Sequence, residues 1–105
     1  MAGASKSLVW APRAAKDLRD IWAYFARVAS VEVADKILHE IDQAAARLAD
    51  RPHLGRPRDE VKPGLRGVLA QPYTVFYRIA DTSVEIVRVL HERRDFPAIL
   101  KRNEE

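Results

Sequence analysis

The 105-residue sequence predicts an α+β fold in which a short N-terminal strand and an αα-hairpin pack on an antiparallel β-sheet. Three observations predict it. Two apolar stripes with spacings of three and four residues follow each other in the first half of the chain, with only a few residues between them. The second half carries runs rich in β-branched and aromatic residues, punctuated by turn residues. The length suits one domain around a single core and is too short for two.

Ser5 to Trp10 (SKSLVW) reads as the first strand. Pro12 then stands where a proline suits the first turn of a helix, because its missing N–H needs no partner there. Ala14, Leu18, Ile21, Trp22, Phe25 and Ala29 mark the apolar face of that helix, which runs to about Val28. Ser30 is the expected N-cap of a second helix, with Glu32 in its first turn where an acid suits the macrodipole. Its stripe is Ala34, Ile37, Leu38, Ile41, Ala45 and Leu48, and Pro52 stops it after Arg51. The two helices must fold back on each other, which puts Trp22 and Phe25 in the core. His39 lies off the stripe and is expected to be exposed.

From Pro52 to Pro63 the chain reads PHLGRPRDEVKP, a surface loop longer than the usual connection of about four to six residues. Gly64 to Ala70 follows as a strand, with Arg66 and Val68 on one face and Leu65, Gly67 and Leu69 on the other. Gln71-Pro72 turns the chain into a hairpin whose two runs flank Asp81, Thr82 and Ser83. Strict alternation sets Tyr73, Val75, Tyr77 and Ile79 against Thr74, Phe76 and Arg78. In the second run it sets Val84, Ile86, Arg88 and Leu90 against Glu85, Val87, Val89 and His91. Neither run alternates cleanly between apolar and polar, so both faces should be covered, one by the helices and the other by a partner. After Asp95 a short helix begins at Pro97 and a charged tail follows.

Hydrophobic content of 48% with 31% charged residues is ordinary for a globular domain, and no apolar run approaches the ~20 residues that span a bilayer. Met1 to Ser7 lacks the apolar core of a signal peptide, which predicts a cytoplasmic protein with no membrane partner. With no cysteine, and with His39, His53 and His91 dispersed, neither a metal nor another cofactor is expected. No phosphate-cradling glycine loop or nucleophile elbow is present. Lys and Arg balance Asp and Glu at 7 each through Asp50, then exceed them by 11 to 8, so the net charge of +3 arises in the half that holds the hairpin. That excess suits RNA, DNA or an acidic protein, and equally a solvated basic surface. A metal-free ribonuclease needs cations around the scissile phosphate and a proton carrier. Arg66, Arg78, Arg88, His91, Arg93 and Arg94 have the chemistry for it, but Arg78 and Arg88 equally suit pairing with Glu85 or with a partner's acids.

The early Trp10, the helix DLRDIWAYF, the loop GRPRDEVKPGLR, the strand YTVFYR and the run VEIVRVLHERRD resemble the ParE branch of the RelE/ParE toxin superfamily. The resemblance spans nearly the whole chain. It implies two helices against an antiparallel sheet, and a cognate ParD-type antitoxin, a ribbon-helix-helix protein whose C-terminal segment wraps the toxin in a hetero-oligomeric complex. RelE-like members cut ribosome-bound mRNA with five basic and aromatic groups. Carried over by position, Arg66 and Arg93 match two of them, while Val68, Thr74 and Ile99 stand where the others belong. ParE-like members resemble inhibitors of DNA gyrase that act by contact and without catalysis. The resemblance therefore implies a non-enzymatic gyrase inhibitor. The alternatives are a ribosome-dependent mRNA endoribonuclease of RelE type and a plain RNA-binding or inactive domain. Arg56, Arg58, Glu60, Arg78, Glu85 and Arg88 are the expected antitoxin contacts, on a helix-in-groove and edge-strand mode of binding. Arg66, His91, Arg93, Arg94 and Asp95 are the expected contacts to the target.

Overall fold

The computed structural model describes residues 5–94 and 96–102. Strand β1 (Ser7–Trp10) leads into helices α1 (Pro12–Val28) and α2 (Val31–Asp50), and a single 3-10 turn (Pro52–Leu54) carries the chain to β2 (Arg56–Pro57). Strands β3 (Arg66–Ala70), β4 (Tyr73–Ile79) and β5 (Ser83–His91) follow, and α3 (Phe96–Arg102) ends the described chain. The sheet order is β1-β5-β4-β3-β2. Every pairing is antiparallel except β1 with β5, which is parallel and makes the sheet mixed. A parallel pair needs a long crossover between its strands, and here the whole of the helices and three strands supplies it.

The helix ends follow the local chemistry. Pro12 occupies the first turn of α1, and the Ser30 hydroxyl accepts from Val33 N at 3.1 Å to cap α2. Ala34, Ala44 and Ala45 are buried on α2, and such small side chains bring the helix close to its neighbours. Ile41 and Leu48 from α2, with Ala14 and Ile21 from α1, pack on Val75, Tyr77, Val84 and Ile86 of the sheet to form the main core. Phe25 lies at the edge of this core. Trp22 does not join it: it is half-buried, and its Nε1 donates to Asp35 at 2.8 Å, tying α1 to α2. Its indole N–H explains the difference, because a donor placed at the helix-helix seam finds a carboxylate there and would find none against the sheet. His39 is exposed, as expected.

The loop from Pro52 to Pro63 is more structured than a surface connection. Pro57 and Arg66 stand opposite each other across β2 and β3, and Arg58 N donates to Leu65 O at 2.7 Å. Val61 and Leu65 are buried with Phe76, Leu90 and Leu100 in a second cluster on the outer face of the sheet. Part of the cover expected from a partner is thus the chain's own, because two apolar residues in this turn and one in α3 have nowhere else to hide from water. The Tyr77 hydroxyl secures the start of the loop, accepting from Gly55 N at 2.9 Å and donating to Pro52 O. Gly55 sits so close that an added Cβ would lie 2.7 Å from both Gly67 O and the Tyr77 oxygen.

Candidate functional site

The site begins with an irregularity in β5. Tyr77 stands opposite Ile86 but Phe76 stands opposite Arg88, so Val87 is an extra residue in the ladder, a β-bulge. An extra residue reverses which face each later side chain takes. Val84 and Ile86 face the helices as alternation predicts, but Val89 joins them, while Leu90 packs in the outer cluster with Phe76. Grouping Arg88 and Leu90 with Val84 and Ile86 is therefore corrected by the bulge. Without it, Arg88 would point into the apolar core beneath α1 and α2.

The bulge lies where β1 leaves the sheet. The last pairing of β1 is Trp10 with Ile86, after which Ala11 N donates to Ile86 O at 2.9 Å and the chain turns into α1. Beyond Ile86, no strand among the described residues pairs with that side of β5. Asp17 of α1 takes the place of one: its carboxylate accepts from Val89 N at 2.8 Å, and from Arg88 Nε at 2.8 Å and Nη2 at 3.0 Å. Arg88 is 6% exposed, so this bidentate pair is largely withdrawn from water. Its remaining nitrogen, Nη1, is buried with no hydrogen-bond partner among the described residues. Sequence reading missed Asp17, whose position in the helix gives no sign of what it meets across the fold.

Around Arg88 lies a groove of about 300 Å³ between the start of α1, the turn holding Val61 and Leu65, strand β5 and α3. Its apolar lining comes from Ala11, Pro12, Leu65, Val87 and Leu100. Its charged lining comes from Arg13, Lys62, Arg78, Glu85 and Arg88, four cations against one carboxylate. Arg78 and Glu85 face each other across the hairpin and pair at 2.8 Å, half in solvent. Lys62 Nζ reaches Leu100 O at 3.3 Å and so fastens α3 to the turn. Ala11 at the N-cap makes no side-chain cap and the first turn of α1 holds no acid, and this end of the helix, with Pro12 and Arg13, lines the groove.

The structure thus gathers Arg78, Glu85 and Arg88 at one place, but Arg88 is engaged by Asp17 and not by Glu85. Arg56, Arg58 and Glu60 lie at the β2 end of the sheet. Arg58 stacks over the Phe76 ring at 5.8 Å and holds Glu60 at 2.8 Å, which keeps the Glu60 carboxyl below its usual range. The expected target contacts are dispersed. Arg66 donates to Gly55 O at 2.7 Å and His53 O at 3.2 Å, bracing the 3-10 turn. His91 packs edge-on against Tyr73 at 5.3 Å, and its Nδ1 accepts from Arg93 N. Burial, then the neighbouring Tyr24, pushes the Tyr73 phenol above its ordinary value. Arg93 and Arg94 are exposed in the turn after β5, and Asp95 lies outside the described residues. Arg66 is opposite Tyr77 and His91 opposite Tyr73 on β4, which separates them by roughly 13 Å along the strand and roughly 10 Å across it. They do not form one site.

Among the described residues no group of three or more His, Cys, Asp or Glu is placed to hold a metal ion, and no helix is long and apolar enough to cross a membrane. A family model described as the ParE toxin of type II toxin-antitoxin system, parDE, matches residues 8–96. The chain is 36% identical over 92 residues to Toxin ParE1 of Mycobacterium tuberculosis, covering 87% of this chain and 94% of that protein. It is 39% identical over 70 residues to Toxin ParE3 of Caulobacter vibrioides, covering 67% and 70%. Its fold matches a chain of the chromosomal ParDE system from P. aeruginosa with a TM-score of 0.75 at 24% identity, covering 85% of this chain and 98% of that one. A chain of the RelBE2 toxin-antitoxin complex from Mycobacterium tuberculosis matches at a TM-score of 0.60 and 22% identity, covering 83% and 91%.

Proposed function

Because the chain belongs to the ParE toxin family of type II toxin-antitoxin systems, we propose that it is a non-enzymatic inhibitor of DNA gyrase, neutralised in the cytoplasm by a ParD-type antitoxin. The observation that carries the non-enzymatic reading is the state of the sheet cations. Arg88 is bound to Asp17, Arg78 to Glu85 and Arg66 to two backbone carbonyls, while Thr74 is buried on the outer face where a RelE-type enzyme carries an arginine. Cations tied to internal partners serve poorly as clamps for a phosphate in a transition state. Inhibition by contact asks only for a stable surface, and the exposed Arg93 and Arg94 beside His91 supply one.

The antitoxin reading places the partner on the outer face of the sheet, with Arg78 and Glu85 at the groove and Arg56, Arg58 and Glu60 along the β2 end. Arg88 lines the same groove. Purified toxin is expected to impair supercoiling by gyrase, to leave mRNA on translating ribosomes uncut, and to lose its effect when the antitoxin is added. Codon-specific cuts in that mRNA would replace this reading with the ribonuclease one.

A further inference from the structure

We propose that the outer edge of β1 pairs with the same edge of a second copy of this chain, antiparallel about a two-fold axis at Val9, and so joins two sheets into one. The inference does not rest on the antitoxin or gyrase readings above. β1 and β2 are the two ends of the sheet. β2 makes a poor edge for pairing, since it has two residues and one of them is Pro57. β1 has four, and its parallel register with β5 decides which of its backbone groups are engaged. Ser7 N donates to Thr82 O at 3.0 Å and Ala11 N to Ile86 O at 2.9 Å, so Ser7, Val9 and Ala11 turn their amides to β5. The amides and carbonyls of Leu8 and Trp10 therefore point away from the sheet, where no strand among the described residues meets them. Lys6 N, next in that outward row, is taken by Ala49 O at 3.0 Å, which limits the open edge to Leu8 and Trp10.

Three features commit this edge to a second copy. Leu8 and Trp10 stand symmetrically about Val9, so antiparallel pairing sets Leu8 of each copy against Trp10 of the other, and every outward N–H finds a carbonyl. The edge is neutral from Ser7 to Trp10, so self-pairing brings no like charges together. Lys6, the adjoining cation, turns its Nζ to Ala80 O and Asp81 O at the hairpin turn and does not guard the edge. Finally, Leu8 and Trp10 pack towards the helices, which leaves Val9 on the other face, 45% exposed and directly opposite its symmetry mate. Pairing removes both branched side chains from water.

Sedimentation velocity of the full chain over a dilution series is expected to show a monomer-dimer equilibrium. Val9→Lys and Val9→Glu each set like charges face to face at the axis and are each expected to raise the dimer dissociation constant at least about tenfold. An equimolar mixture of the two is expected to regain the dimer. Should either variant fail to fold, Val9→Cys in this cysteine-free chain gives a second reading. Opposed residues in a non-hydrogen-bonded antiparallel pair lie about 4.5 Å apart at Cα, within disulfide reach. Oxidation should therefore link Val9→Cys into dimers much faster than Leu69→Cys, at a position that is 62% exposed on β3. Amide protection at Leu8 and Trp10 should also grow with concentration, while that at Val9, already bonded to β5, should not change. A wild type that is monomeric at every concentration, a dimer that Val9→Lys leaves intact, or a mixture of the two charged variants that stays monomeric would overturn the proposal. So would protection of Leu8 and Trp10 that arises only on adding purified antitoxin, which would give the edge to a strand of that partner.

Discussion

Replacing Asp17 by Ala should strongly destabilise this fold. The Asp17 carboxylate accepts three hydrogen bonds, two from Arg88 and one from Val89 N, and the paired side chains are only 12% and 8% exposed. Removing it leaves a guanidinium buried without a counter-charge and a strand N–H without an acceptor. Breaking one side of such a pair costs about 3–5 kcal/mol, with the orphaned Val89 N–H included in that range and not added to it. For a chain of this size each kcal/mol lowers the melting temperature by at least about 4 °C, so a fall of at least about 12–20 °C is expected. Urea unfolding followed by circular dichroism gives the free energy directly, and Arg78→Ala serves as the control. Its pair with Glu85 is half exposed, and it should cost less than about 1 kcal/mol. The double variant Asp17→Leu with Arg88→Met is expected to recover most of the loss, because no charge is then left buried. If Asp17→Ala unfolds within about 1 kcal/mol of wild type, the carboxylate does not stand in for a strand at the open edge of β5.

The same reasoning predicts effects elsewhere. Tyr77→Phe removes the hydroxyl that joins Pro52 O to Gly55 N and should cost about 1–3 kcal/mol, read as a lower urea midpoint and faster amide exchange at Gly55. Gly55→Ala forces a methyl to within 2.7 Å of Gly67 O and the Tyr77 oxygen, and the resulting overpacking should cost about 1–3 kcal/mol in the same assay. Burial raises the Tyr73 phenol above the ordinary 10.0, so its contribution to stability is complete below that value and is lost as pH rises through the higher folded value. A 295-nm titration of wild type minus Tyr73→Phe should therefore show a step above pH 10, and a step below it would contradict the burial seen here.

The sequence by itself determined the elements and the family. Helical spacing marked α1 and α2, Ser30 and Pro52 marked the ends of α2, and the aromatic and β-branched runs marked the hairpin, because each of these signals acts over a few neighbouring residues. The resemblance carried by PGLR, VFYR and RVLHERRD placed the chain among the toxins to which it belongs. Six candidate antitoxin contacts were named, and three of them, Arg78, Glu85 and Arg88, line one groove. What lay beyond reach was every property that depends on who stands opposite. Trp22 obeys the apolar spacing yet turns to Asp35, and Val61 sits in a charged loop yet helps to close the outer face. The parallel docking of β1 on β5 leaves no local trace, since its two strands are separated by nearly the whole chain.

The groove depends on the least legible feature of all. Period-two alternation assigns Arg88 to the helix face, and only the register between β4 and β5 reveals that Val87 is inserted and that the assignment reverses. A bulge is a mismatch between two strands, so neither strand contains it alone. The tertiary structure then decided the role of Arg88, because a charge can be buried only where a carboxylate meets it, and Asp17 comes from a helix 71 positions away in the chain.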